Sequence, residues 1–183
     1  DSDHKLTLTQ TYAIFDDVSA VVRSSELTND GDHGVQISKI MSGALELPDA
    51  GYELWHLCGA WLKEDHVRRQ NLAPGHLSFG SLRGATSHQH NPFAALVEKG
   101  AGLDNGVVYA SNLIYSGNFI TSINVNEWNQ TRIYTGINPD HFSWLLEPDE
   151  SFRTPEAVLF HTKDGINGLM KETHAFVLNH IIP

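Results

Sequence analysis

The feature that most constrains this chain is its rhythm. From residue 6 to about residue 162, short apolar or alternating runs recur, each closed by Gly, Asn, Asp or Pro. In "KLTLTQTYAIF", Leu6 and Leu8 alternate with Thr7 and Thr9, the period of two that places one strand face in a core. "AVVRSSEL" follows, and "NDGDHG" (29–34) is a turn cluster. "VQISKIMSGALEL" alternates through Val35, Ile37, Leu45 and Leu47, and "YELWHLCGAW" reads as a well-buried strand. "HLSFGSLRG", "PFAALVEKG", "GVVYASNLIYSG", "NFITSINVNEW" and "QTRIYTGI" complete the series. The last three read as consecutive antiparallel strands joined at Tyr115–Asn118 and Asn126–Asn129. "SFRTPEAVLFHT" is one more strand, whose Pro155 suits an edge or a bulge. About a dozen short strands at steady spacing predict a large β-sandwich.

After residue 163 the period changes. Ile166, Leu169, Met170, Phe176, Val177 and Ile181 recur at spacings near three and four, one apolar helix face with Asp164 as its N-cap. The division expected is therefore a β-domain over 1–163 and a helix over 164–183 that leads toward a further domain. The chain begins with Asp1, without an apolar leader, which reads as a cut-out or processed piece.

Composition narrows the function. The formal net charge is -10, and the one basic run is Arg68-Arg69, so nucleic acid is not an expected partner. No stretch reaches the roughly eighteen uninterrupted apolar residues of a membrane helix. One cysteine, Cys58, excludes an internal disulfide and fits a reducing cytoplasm. Asn129-Gln130-Thr131 matches a glycosylation sequon, a tripeptide common by chance.

Three groups of residues could carry chemistry. His88 and His90 would share a face if their segment is a strand, and so could share a metal; a closed zinc site needs four ligands, and no second cluster stands at ligand spacing. The alternative is architectural, with His88, Gln89, His90 and Asn91 hydrogen-bonding a buried loop. Asp16, Asp17, Asp49, Glu53, Glu147, Asp149 and Glu150 sit in turn-like contexts, and no triad or phosphate loop stands out. No catalytic residue, metal or cofactor is assigned. Trp55, Trp61, Trp128 and Trp144, with Tyr52 and Tyr109, lie on the β scaffold, and sugars stack their C–H faces on such rings.

Four blocks then carry a resemblance: "LELPDAGYELWHLCGAWLKEDHV", "GSLRGATSHQHNPFAALV", "NLIYSGNFITSINV" and "TGINPDHFSWLLEPDESFRTPEAVLFH". In order, they resemble the N-terminal domain of bacterial α-galactosidases of glycoside hydrolase family 36, over residues 6 to 180. The resemblance implies a β-supersandwich of the galactose mutarotase-like type, entered some way in, with a C-terminal helix leading to a (β/α)8 barrel. Such enzymes remove terminal α-1,6-linked galactose from melibiose, raffinose and stachyose with retention and without a metal. The two aspartates that retention requires belong to the barrel, beyond Pro183. Asp16, Asp17, Asp49 and Asp65 do not occupy those motifs. The resemblance further implies a tetramer in which the domain reaches a neighbour's active site, with Trp61 of Gly59-Ala60-Trp61 stacking at a sugar subsite. Here Cys58 precedes that segment where the family often has Ser, and Leu62-Lys63 follows where it often has Arg. The expected function is thus a non-catalytic domain of an α-galactosidase; the alternatives are a free-standing carbohydrate-binding module and a metal enzyme using His88 and His90.

Overall fold

A computed structural model of the protein describes residues 5–182; residues 1–4 and Pro183, included in the expected division, lie outside the described residues. Among the described residues, strands in three sheets run from Leu6 to Thr162, and one helix follows. The large sheet runs, in spatial order, β1 (Leu6–Ile14), β2 (Ala20–Asn29), β14 (Glu156–Thr162), β9 (Val108–Ile114), β8 (His90–Glu98), β5 (Tyr52–Ala60) and β6 (Lys63–Asn71), with β13 (Ser151–Arg153) also on β2. The second sheet is β4 (Met41–Leu47), β11 (Thr131–Ile137), β10 (Phe119–Val125) and β7 (Gly75–Gly80). A small ribbon pairs β3 (Val35–Ile37) with β12 (Trp144–Leu146).

The run Ala94-Ala95-Leu96-Val97 in β8 explains the layering. All four are buried, so this strand is covered on both faces rather than one. Ala94 and Leu96 face the second sheet, in a cluster with Leu54, Leu113, Phe119, Ile123, Ile133 and Ala157. Ala95 and Val97 face the other way, in a cluster with Val108, Ala110, Val158, Phe160, Leu169 and Phe176. The last two belong to helix α1 (Gly165–Phe176), so the molecule stacks helix, large sheet and small sheet.

Pro155 sits at a bulge. Arg153 pairs with Glu26 and Ala157 with Arg23, so four steps along one strand answer three on the other. Thr154 takes the intervening pairing, its amide donating to the Ser25 carbonyl at 2.9 Å and its hydroxyl accepting from the Ser25 amide at 3.0 Å. Proline, which has no N–H, then occupies the surplus position. The expected chain of three neighbouring strands is half right. β10 and β11 form a hairpin, but β9 lies in the large sheet between β14 and β8, so the link at 115–118 crosses between sheets.

The helix begins without its expected side-chain cap. Asp164 stands at the N-cap position but makes no capping hydrogen bond. Backbone carbonyls of a loop do that work instead: Gly102 accepts from Ile166 at 3.4 Å, Leu103 from Asn167 at 2.8 Å, and Gly106 from Gly165 at 3.0 Å. Gly165 has φ +64°, and a Cβ there would fall 2.5 Å from the Gly102 oxygen, so only glycine permits this docking. At the other end the chain widens into a π-helical turn over Val177–Ile181, closed by a bond from the Ile182 amide to the Val177 carbonyl at 2.9 Å. The wider turn breaks the helical spacing, and of the predicted apolar face Met170, Val177 and Ile181 are exposed while Leu169 and Phe176 are buried. Asp17, between β1 and β2, holds that turn by accepting from Asn179 at 3.0 Å and from His180 at 2.9 Å. These bonds, Asn179 first, keep the Asp17 carboxyl below its ordinary value. No helix among the described residues is long and apolar enough to cross a membrane.

Two outcomes are expected from this architecture. Phe119, which is 0% exposed between the sheets, should cost about 3–5 kcal/mol on truncation to Ala, measured by chemical denaturation. Asp17→Ala should raise hydrogen exchange over residues 177–182 and leave the large sheet protected.

Candidate functional site

The β5–β6 hairpin projects Trp61 into water. Ala60 pairs with Lys63, leaving Trp61-Leu62 as a two-residue turn. Leu62 has φ +62°, a conformation that γ-branched side chains rarely adopt, and its amide donates to the Glu64 carboxylate at 2.8 Å. Trp61 is 80% exposed and Leu62 76%. Two large apolar side chains held in a strained backbone at a tip mark a contact surface. Strand β6 is exposed along nearly its whole length, and its Lys, Glu, Asp, His and Arg side chains protect the sheet edge from unwanted pairing.

The tip is braced by the loop that carries the histidines. Gly59 donates to the Gln89 carbonyl at 3.1 Å. A Cβ on Gly59 would lie 2.2 Å from the Lys63 oxygen and 3.0 Å from the His88 oxygen, so the Gly-Ala-Trp segment needs glycine for close approach. Asn91 donates to the Asp65 carboxylate at 2.6 Å. Ser87 and His90 form a bridge with His88-Gln89 as its turn, so His88 is exposed in a turn and does not share a strand face with His90. The geometric premise for a shared metal therefore fails. Among the described residues no group of three or more His, Cys, Asp or Glu side chains is placed to hold a metal ion. The bond to Gly59 is made by the Gln89 backbone carbonyl and not by the side chains of His88, Gln89, His90 and Asn91 that the architectural alternative invoked. The Asn-Pro segment after Gly136-Ile137 is architectural too: buried Asn138 donates to the Ser81 and Phe119 carbonyls, both at 3.3 Å.

His90 turns inward, toward a residue that the sequence reading did not single out. His56 is 3% exposed and stacks on Phe79 with ring centroids 4.4 Å apart, and His90 lies 6.0 Å beyond it. Neither His56 nitrogen, nor His90 Nδ1, has a hydrogen-bond partner of ordinary geometry. Burial first, then the neighbouring His90 and Arg68, holds His56 below its usual value; Gln70 pulls weakly the other way. Burial and Arg68 do the same to His90. Both rings are thus apolar packing at neutral pH.

Of the other carboxylates singled out in sequence, Asp49, Glu53 and Glu150 are occupied locally. Asp49 accepts from the Gly51 amide at 2.8 Å, Glu53 from the Trp55 indole at 3.2 Å, and Glu150 from the Glu147 amide at 3.1 Å. The aromatics do not form one site. Tyr52 and Tyr109 pack in the core, Trp55 lies under the Arg69 guanidinium at 3.8 Å, and Trp144 packs on Phe152 at 5.2 Å. Trp61 and Trp128, 80% and 72% exposed, stand free. The Thr131 hydroxyl of the sequon is bonded to the Asp49 carbonyl at 2.8 Å.

Because both imidazoles have folded-state values below the unfolded one, the unfolded chain binds more protons below about pH 6.5. Stability should be complete above that pH and fall as pH drops toward the folded values. Denaturant midpoints from pH 7 to pH 5 should show this fall, and His56→Phe, which keeps the stack on Phe79, should flatten it.

A family profile described as "Glycosyl hydrolase family 36 N-terminal domain" matches residues 1–147. Alpha-galactosidase AgaA of Geobacillus stearothermophilus is 39% identical over 169 residues, which are 92% of this chain and 23% of that protein. A solved structure of AgaA from the same organism, a variant in complex with stachyose, superposes with a TM-score of 0.98 at 37% identity, covering 100% of this chain and 26% of that one. A galactose mutarotase related enzyme from Lactobacillus acidophilus gives a TM-score of 0.50 over 88% of this chain and 63% of its own, at 8% identity, a likeness of fold alone. The chain therefore spans about a quarter of the length of the α-galactosidases it matches.

Proposed function

The chain belongs to the family of glycosyl hydrolase family 36 N-terminal domains, and we propose that it is the non-catalytic N-terminal part of an α-galactosidase. In this reading residues 1–163 are part of the β-supersandwich, and residues 164–183 connect it to a catalytic barrel. The whole enzyme would release terminal α-1,6-linked galactose from melibiose, raffinose and stachyose, with both reacting carboxylates supplied by the barrel. It would be a cytoplasmic tetramer without a cofactor. The observation that carries the reading is the match of the entire chain, helix included, to about a quarter of an α-galactosidase. The helix favours it as well, since Met170 lines a groove with Trp55 and Phe93, and Val177, Leu178, Ile181 and Ile182 further along are apolar and exposed.

Trp61 is the residue proposed to touch substrate, as a stacking surface beside the sugar subsite of a neighbouring subunit. Its exposure and the brace beneath it support that role, because an indole held in place loses little freedom on binding. Its strained neighbour Leu62 belongs to the same tip. In the full-length enzyme Trp61→Ala should lower kcat/KM on raffinose about fivefold, the equivalent of roughly 1 kcal/mol for one aromatic contact. An unchanged kcat/KM in a folded oligomer would remove Trp61 from the site.

A further inference from the structure

Trp128 is the second exposed indole, and the chain works to hold its turn still. Residues 126–130 link β10 to β11, and Asn126 organises them. Its side-chain oxygen accepts from the Trp128 amide at 3.1 Å and the Gln130 amide at 2.8 Å, and its side-chain amide donates to Gln130 Oε1 at 2.8 Å. Two backbone bonds complete the turn, from the Asn126 amide to the Gln130 carbonyl at 3.1 Å and from the Asn129 amide to the Asn126 carbonyl at 3.0 Å, and Asn129 has φ +59°. A rigid turn that leaves a Trp 72% exposed gains nothing from burying it.

The turn borders a hollow of about 530 Å³ on the outer face of the four-stranded sheet. Asn126 and Gln130, two residues before and after Trp128 in the chain, line it together with Glu46, Asn124, Arg132 and Tyr134, while Trp128 itself is not part of the lining. Register explains how they meet. Arg132 pairs with Glu46 on one side and with Asn124 on the other, so three strands place carboxylate, guanidinium and amide in one row. The Arg132 guanidinium donates to Glu46 at 2.5 Å, so the row carries no net charge. Tyr134 stands two residues along β11, on the same face. The lining thus offers balanced donors and acceptors, suited to a neutral ligand with many hydroxyls rather than to an ion.

We propose that this hollow and Trp128 form a saccharide-binding site, the indole stacking on a sugar face and the row Glu46–Arg132–Asn124 taking its hydroxyls. The choice of a galactose-bearing saccharide rests on the function proposed above. The site is separate from Trp61. Thr131 of this hairpin bonds to the Asp49 carbonyl, just before β5 begins, whereas Trp61 lies past its far end, roughly 30 Å away at about 3.3 Å per residue.

The test is an amide NMR titration of the 183-residue chain with raffinose, and with galactose and sucrose separately. Raffinose should shift the Trp128 indole N–H and the amides of residues 124–134, with a millimolar dissociation constant. Whichever of galactose and sucrose reproduces those shifts identifies the bound ring. Trp128→Ala should weaken binding about tenfold, the loss of one stacking contact, and Asn124→Ala should weaken it without removing the indole. No shifts at tens of millimolar raffinose, or the same affinity in Trp128→Ala, would overturn the proposal. Cleavage of raffinose by the full-length enzyme without binding here would leave the proposed function standing and remove only this site. Binding here with no cleavage would do the reverse.

Discussion

The burial of β8 on both faces is the constraint on which the rest depends. Four consecutive apolar residues commit the middle of the large sheet to having a layer on each side. One layer is the four-stranded sheet, whose Phe119, Ile123 and Ile133 meet Ala94 and Leu96. The other is α1, whose Leu169 and Phe176 cover Ala95 and Val97. Once the centre is fixed, what varies is where the sheets overrun it. The β5–β6 hairpin extends past β8 to a tip, and the β10–β11 turn closes the second sheet at the other end.

These two extensions share a design. Each presents an indole to water and spends backbone order on keeping it still, by the close approach of Gly59 to the histidine loop in one case and by the bonds of Asn126 in the other. Neither carries an arrangement of acid and base. His56 and His90 are turned inward against Phe79 and kept neutral by burial. A scaffold with rigid aromatic tips suits ligand contact.

The layering was legible because alternating runs and turn residues report burial directly. "FAALV" signals a doubly covered strand by its lack of alternation, and Pro155 announces its bulge. Strand β6 was not legible: "KEDHVRRQN" has no apolar period because an exposed edge strand needs none. The crossover after β9 was hidden because a turn-rich link looks the same whether it closes a hairpin or changes sheets. Spacing of two implies a common face only in a strand, and Ser87–His90 is a turn. Trp61 was singled out through the family likeness alone, whereas the row of Glu46, Arg132 and Asn124 lies on three strands distant in sequence and exists only once the register is set.

Whether this domain is architecture rather than catalyst is most directly tested by assaying the 183-residue chain with a chromogenic α-galactoside. A domain of the kind described should release no chromophore above the uncatalysed background, even at the protein concentrations used for binding. Sustained turnover by the purified chain, lost on heating it past its unfolding transition, would contradict that description.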